Sequence, residues 1–132
     1  MSIVGTKSAS RVKILEKLIG TLSKKGYRVG VLKRLAKDDA EIDEAGKDSY
    51  RYRAGGAERV ALAGGKRLAI FSNLAHEMPL STLLGLFGGF VLVFLEGFCL
   101  EEGPKIDLSP DGAEPSWIAS EIEEKFLARN VR

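Results

Sequence analysis

At 132 residues the chain is long enough for one domain with a proper core, and its 45% apolar and 29% charged content is that of an ordinary soluble globular protein. Lys and Arg outnumber Asp and Glu by only two, 20 against 18, which excludes a polybasic tail and a broad nucleic-acid footprint. A lone cysteine, Cys99, excludes an internal disulfide framework and fits a reducing cytoplasm.

The first stretch, Ser2 to Ile19, reads as a short strand, a loop of small residues and an amphipathic helix. That is the layout of a phosphate-binding loop. The motif G-x-x-x-x-G-K-[ST] starts well at Gly5, but its last three positions hold Ser10, Arg11 and Val12. Ile14, Leu15, Leu18, Ile19 and Leu22 recur at helical spacing, and Lys24, Lys25 and Gly26 suit a helix end. Tyr27 to Leu32 reads as a strand with Tyr27, Val29 and Val31 on one face and Lys33-Arg34 at its carboxyl end.

Ala36 to Glu44 is polar and acidic and reads as an exposed loop. In Gly46 to Gly56, Asp48 or Ser49 is suited to cap a short helix from which Arg51 and Arg53 project and which Gly55-Gly56 ends. Glu58 to Ala63 and Arg67 to Ser72 read as a hairpin joined through Gly64-Gly65-Lys66. Pro79 starts a helix carrying Leu80, Leu83, Leu84 and Phe87.

Leu83 to Leu100 is long and apolar enough to raise the question of a membrane span. Gly88-Gly89 interrupts it, Glu96 sits inside it and no Lys or Arg flanks it closely, so neither a span nor membrane association is expected. Phe90 to Leu95 is apolar on both faces and belongs in the middle of a parallel sheet covered by helices. Pro104 to Leu108 is a last short strand. A C-terminal helix over about 116–130 follows, capped by Ser116, with Trp117, Ile118, Ile122 and Phe126 inward and Glu121, Glu123 and Glu124 outward. The N-terminus has no long apolar run, so no signal peptide is expected. The alternation predicts a single α/β domain over 1–132, a three-layer α/β/α sandwich with a mostly parallel sheet and a short hairpin. Ligands in such sheets sit beyond the carboxyl ends of the strands, where the first loop, Lys33-Arg34 and Glu96 converge.

Taken in order, Val4-Gly5, Leu15 to Ile19, Gly26 to Gly30, Gly46-Lys47-Asp48-Ser49, Arg51, Ala54 to Ala57, Glu96-Gly97-Phe98 and Pro104-Lys105-Ile106 resemble the MobB family, molybdopterin-guanine dinucleotide biosynthesis protein B. The resemblance covers roughly residues 3 to 108. It implies a P-loop NTPase-like fold, GTP binding and homodimerisation through the sheet. It also implies an adapter role beside a MobA-like guanylyltransferase, which attaches GMP to molybdopterin. Two departures accompany the altered loop. Arg34 to Lys37 lacks the histidines that usually follow the second strand, and apolar Val91 stands near a position often acidic in the family.

The candidate phosphate-binding residues are Gly5, Thr6, Lys7, Ser8, Ala9, Ser10, Arg11, Val12 and Lys33. Backbone N–H groups at a helix start hold an anion whatever the side chains. Ser10 in a left-handed loop conformation would be strained by roughly 1 kcal/mol. Arg11 keeps the charge but not the compact ammonium, and Val12 removes the hydroxyl that ligates Mg²⁺. GTP is therefore a candidate ligand and Mg²⁺ a doubtful one. Three readings stand: a working Mg²⁺-dependent GTPase, a site that binds without turnover, and a structural strand-turn-helix. Glu96 is the candidate catalytic acid, positioned to orient water or the metal's hydration; an exposed carboxylate at a strand end is the alternative.

Arg34, Lys47, Asp48, Arg51 and Arg53, interleaved with Tyr50 and Tyr52, form a candidate anion or partner surface, against the plainer reading of a solvated charged face. His76 is the only histidine and stands in a polar loop, and no Cys/His spacing predicts a metal cluster. The expected partners are a second copy, the guanylyltransferase, and molybdopterin or its guanine dinucleotide.

Overall fold

A computed structural model of the chain describes residues 2–4, 8–35, 41–98, 105–107 and 115–127. It forms two compact units, one of residues 1–35 with 86–132 and one of residues 36–85.

The first unit is built on four parallel strands: β1 (Ser2–Val4), β2 (Val29–Lys33), β5 (Leu92–Glu96) and β6 (Lys105–Asp107), in the order β2-β5-β1-β6. The hairpin strands β3 (Arg59–Ala63) and β4 (Leu68–Ser72) lie in the other unit. β5 is flanked on both sides, as its unbroken apolar run predicts, and it ends one residue later than the run itself, so that Glu96 is its last residue.

Helix α1 (Ser8–Lys24) presents Leu15, Leu18 and Leu22 to this sheet at the expected spacing. With Leu92 and Phe94 of β5, and with Ile118, Ala119, Ile122 and Leu127 from the C-terminal segment, they make one buried core. That segment is α4 (Pro115–Ile122) followed by a π-helical turn, Glu123–Leu127. The inward placement of Ile118 and Ile122 agrees with the sequence; the side chains of Trp117 and Phe126 lie outside the described residues. Lys25 Nζ to Glu123 Oε2, 2.8 Å, ties the end of α1 to this segment.

The end of α1 is a Schellman closure. Tyr27 N–H donates to Leu22 C=O and Gly26 N–H to Ser23 C=O, which satisfies carbonyls the helix leaves without partners. On the opposite face of β2, Gly30 leaves room for an aromatic ring. A Cβ there would stand 2.6 Å from Phe87 and 3.1 Å from Phe90. These two rings meet edge to face at 5.7 Å, and the Arg28 guanidinium lies 4.5 Å from the Phe90 centroid.

The second unit contains α2 (Asp48–Ala54), the hairpin of antiparallel β3 and β4, and α3 (Leu80–Leu84), after which Gly85–Phe87 forms a 3-10 turn. α2 ends at Gly55, as expected, but its N-cap is Lys47 and no side chain caps it. Neither Asp48 nor Ser49 serves as a cap, because both stand inside the helix and Ser49 is buried against Asp43. Among the described residues no helix is long and apolar enough to cross a membrane.

Candidate functional site

β1 ends at Val4 and α1 begins at Ser8, so the junction at the strand's carboxyl end is short. Gly5, Thr6 and Lys7 lie outside the described residues, as do the side chains of Ser8, Ala9, Ser10 and Arg11. Ser10 belongs to the helix, and no described residue other than glycine has positive φ. The strain expected of Ser10 therefore does not arise: a helical backbone suits serine. Val12 is 48% exposed in α1. An isopropyl group offers Mg²⁺ no oxygen, so the described residues do not supply the loop's metal ligand.

Lys33 and Glu96 come together as the sequence suggests. They are register partners at the carboxyl ends of β2 and β5, with Lys33 Nζ 4.0 Å from Glu96 Oε1. In a strand, alternate residues share a face, so Glu96 continues the face of Leu92 and Phe94 that α1 covers. Its register partner in β1 is Ile3, five residues before α1. Glu96 is only 6% exposed, which corrects the reading of it as an exposed carboxylate, while the Lys33 side chain is half exposed. The half-exposed Lys33 ammonium carries three N–H donors, so it can meet an anion from solvent while staying beside the buried carboxylate.

The backbone fixes this corner. Arg34 N–H donates to Glu96 C=O at 2.8 Å, extending the β2–β5 ladder by one bond. Gly97 then turns the chain at φ +85°, and a Cβ there would lie 3.0 Å from Arg34 C=O. Only glycine meets both conditions without strain, which is the local reason for Glu96-Gly97.

The other charged cluster lies in the second unit, and the structure sorts its members differently from the sequence. Lys47 is exposed and paired with Glu44 at 2.9 Å, which holds its ammonium above the usual lysine range. Asp48, Arg51 and Tyr52 are exposed on α2. Arg53 does not project. Its side chain is 8% exposed and carries Glu41 at 2.7 Å, Asp43 at 3.4 Å, Asn73 Oδ1 at 3.4 Å and the Phe71 ring at 5.3 Å. The reason is helical spacing: Arg53 follows Ser49 by four residues, so both share the inward face of α2. The reading of residues 36–44 as exposed fails at Asp43, whose side chain is buried and accepts the Ser49 hydroxyl. Residues 36–40 lie outside the described residues. The hydrogen bond from Arg53 holds the Glu41 carboxyl below the usual range. That from Ser49, helped by Arg53, does the same for Asp43.

Sequence reading missed Glu41 and Asp43, because a carboxylate twelve or ten residues before an arginine has no local pairing pattern. The hairpin holds a third feature, a shallow cavity of about 550 Å³ lined by Leu62, Arg67, Leu68 and neighbouring small residues. Leu62, Leu68 and Ile70 beside it are 45%, 67% and 52% exposed.

Compared with known proteins, residues 1–128 match the family model of MobB, "Molybdopterin guanine dinucleotide synthesis protein B". The chain belongs to the MobB family. It is 34% identical over 130 residues to the molybdopterin-guanine dinucleotide biosynthesis adapter protein of Haemophilus influenzae, covering 97% of this chain and 71% of that one. The protein of the same name from Escherichia coli is 32% identical over 117 residues, covering 86% and 66%. Among solved structures, a molybdopterin-guanine biosynthesis protein B superposes with a TM-score of 0.70 at 20% identity, over 96% of this chain and 97% of that one. Bacillus subtilis MobB gives 0.64 at 24% identity over 80% and 64%. These MobB relatives establish the P-loop NTPase-like α/β fold. The chain spans about two thirds of the length of the longer ones.

Proposed function

We propose that the chain is an accessory, adapter-type protein of molybdopterin-guanine dinucleotide biosynthesis that binds GTP or a similar phosphate-bearing ligand weakly and turns it over slowly or not at all. The observation that carries the reading is the family match over nearly the whole chain, joined to relatives named as adapter proteins at 32–34% identity. The weak nucleotide site is supported by the loop's chemistry. The helix start and the Lys33–Glu96 corner remain as anion-holding parts, whereas Arg11 and Val12 replace the ammonium and the metal-binding hydroxyl. Without both, most of the electrostatic stabilisation of phosphoryl transfer is lost.

The partners of this reading are a MobA-like guanylyltransferase, molybdopterin or its guanine dinucleotide, and a second copy of the chain, in the cytoplasm. Homodimerisation is supported by the apolar side chains that the hairpin leaves exposed, because a two-stranded ribbon is marginal alone.

Titration of the full chain with GTP and ATP, with and without Mg²⁺, followed by calorimetry and melting shift, tests the nucleotide part. The expected result is a small stabilisation by GTP that Mg²⁺ barely changes. A Mg²⁺-dependent hydrolysis rate abolished by Arg11→Ala would replace this reading with an active GTPase. Absence of any shift would leave a nucleotide-free scaffold, and failure to co-purify with the guanylyltransferase would remove the adapter role.

A further inference from the structure

Arg53 spends its guanidinium poorly. An arginine fork is matched by two oxygens approaching it side by side, in parallel N–H···O bonds. Here Nη2 meets one oxygen of Glu41 at 2.7 Å and one of Asp43 at 3.4 Å, while Nη1 reaches Asn73 Oδ1 only at 3.4 Å. Nε is buried and donates to no described residue. The three acceptors are thus shared one oxygen at a time, and none of these carboxylates takes the fork in two parallel bonds. The two carboxylates also differ. Asp43 is buried, bound to Ser49, and keeps an oxygen without a hydrogen bond. Glu41 is about half exposed and holds Arg53 through a single oxygen.

We propose that Glu41 is a displaceable internal occupant of an oxyanion site centred on Arg53, and that a phosphate monoester takes its place. A phosphate monoester presents three oxygens to a carboxylate's two, so it can meet Nη2 and Nε together once Glu41, which uses only one of its oxygens here, has withdrawn. Phe71 and Asn73 hold the guanidinium plane while the occupant changes, since neither belongs to the segment that carries Glu41. Asp43 opposes a second negative charge at this site. It therefore sets the affinity low and makes release of Glu41 a condition of binding. The site stands apart from the first loop in sequence and rests on other residues, so it is independent of the nucleotide site proposed above.

Glu41→Gln keeps the shape of the occupant and removes its charge, at a half-exposed position outside the apolar core. The full-length protein is titrated with phenyl phosphate, while the Arg53 Nε–H resonance is followed by NMR. The expected result is affinity about tenfold higher in Glu41→Gln than in wild type, the scale of one charge-assisted hydrogen bond released. The Arg53 resonance should move in both proteins. In the double variant Glu41→Gln/Arg53→Lys the gain should vanish, because an ammonium cannot form the fork. Equal affinity in wild type and Glu41→Gln overturns the proposal. So does a gain that survives Arg53→Lys, or an Arg53 resonance unmoved at saturating phosphate. The resonance is followed in the wild-type chain, so this outcome does not depend on the stability of any Arg53 variant.

Discussion

Single residues in this chain are decided by what they face. Arg51 and Arg53 are two apart and look equivalent in sequence, yet one is exposed and the other is the hub of a buried charge cluster. The hub gives a signed pH dependence. Glu41 and Asp43 both have folded-state pKa values below their ordinary ones, so the unfolded chain binds their protons more readily. Their contribution to stability is therefore fully present at neutral pH and is lost as pH falls from the ordinary carboxylate range through the lower folded values. Arg53 stays charged throughout. Thermal unfolding of the wild type should be insensitive to pH between about 6 and 8 as far as this cluster is concerned, well above the ordinary carboxylate range, and should weaken in acid below that range. Arg53→Gln should melt several degrees lower at neutral pH, with a shallower acid limb, so that the two curves approach one another in acid. Parallel curves would show that the depressed carboxylates are not what Arg53 stabilises.

At the scale of elements, much of the fold was legible. The 3.6-residue recurrence of Leu15, Leu18 and Leu22 marked α1, and the absence of polar alternation in Phe90 to Leu95 marked an interior strand. These signals work because burial of an element's face repeats with its own geometry. The misreadings have a different origin. Asp48 and Ser49 have the right chemistry for an N-cap but stand inside α2, and the Ser49 hydroxyl is taken by Asp43 from the preceding segment. Likewise Glu96 was legible as the end of β5, but its burial was not, because that depends on α1 and β2 covering it. The core reading is open to a direct check. Leu18 is fully buried at the centre of the α1, β5 and α4 cluster, so Leu18→Ala should lower unfolding free energy by about 2–5 kcal/mol through lost transfer energy and a residual cavity. Exposed Val12 on the same helix should tolerate alanine within about 0.5 kcal/mol. Chemical denaturation with a common m-value measures both. Similar losses at the two positions would mean that α1 packs by another face.

At the scale of the whole molecule, the hairpin bears most directly on the adapter reading proposed above. β3 and β4 pair only with each other, so each keeps one edge without a described strand beside it. They also expose Leu62, Leu68 and Ile70 rather than the lysines and prolines that commonly protect such edges. A two-stranded ribbon of this kind gains most by adding strands or covering its apolar side, and an identical ribbon related by a two-fold axis does both at once. On the reading proposed above, an adapter needs such an interface more than it needs turnover. The chain is accordingly expected to sediment as a dimer at micromolar concentration. Leu68→Lys combined with Ile70→Lys should shift it to monomer, because each places an ammonium where apolar surface would be buried, while far-UV circular dichroism keeps its shape. The same double variant should lose binding to the guanylyltransferase only if the adapter surface is built from both copies. Retained binding by a monomeric variant would place that surface within a single chain. A double variant that stays dimeric would show that the copies meet elsewhere and that the hairpin's exposed leucines serve another contact.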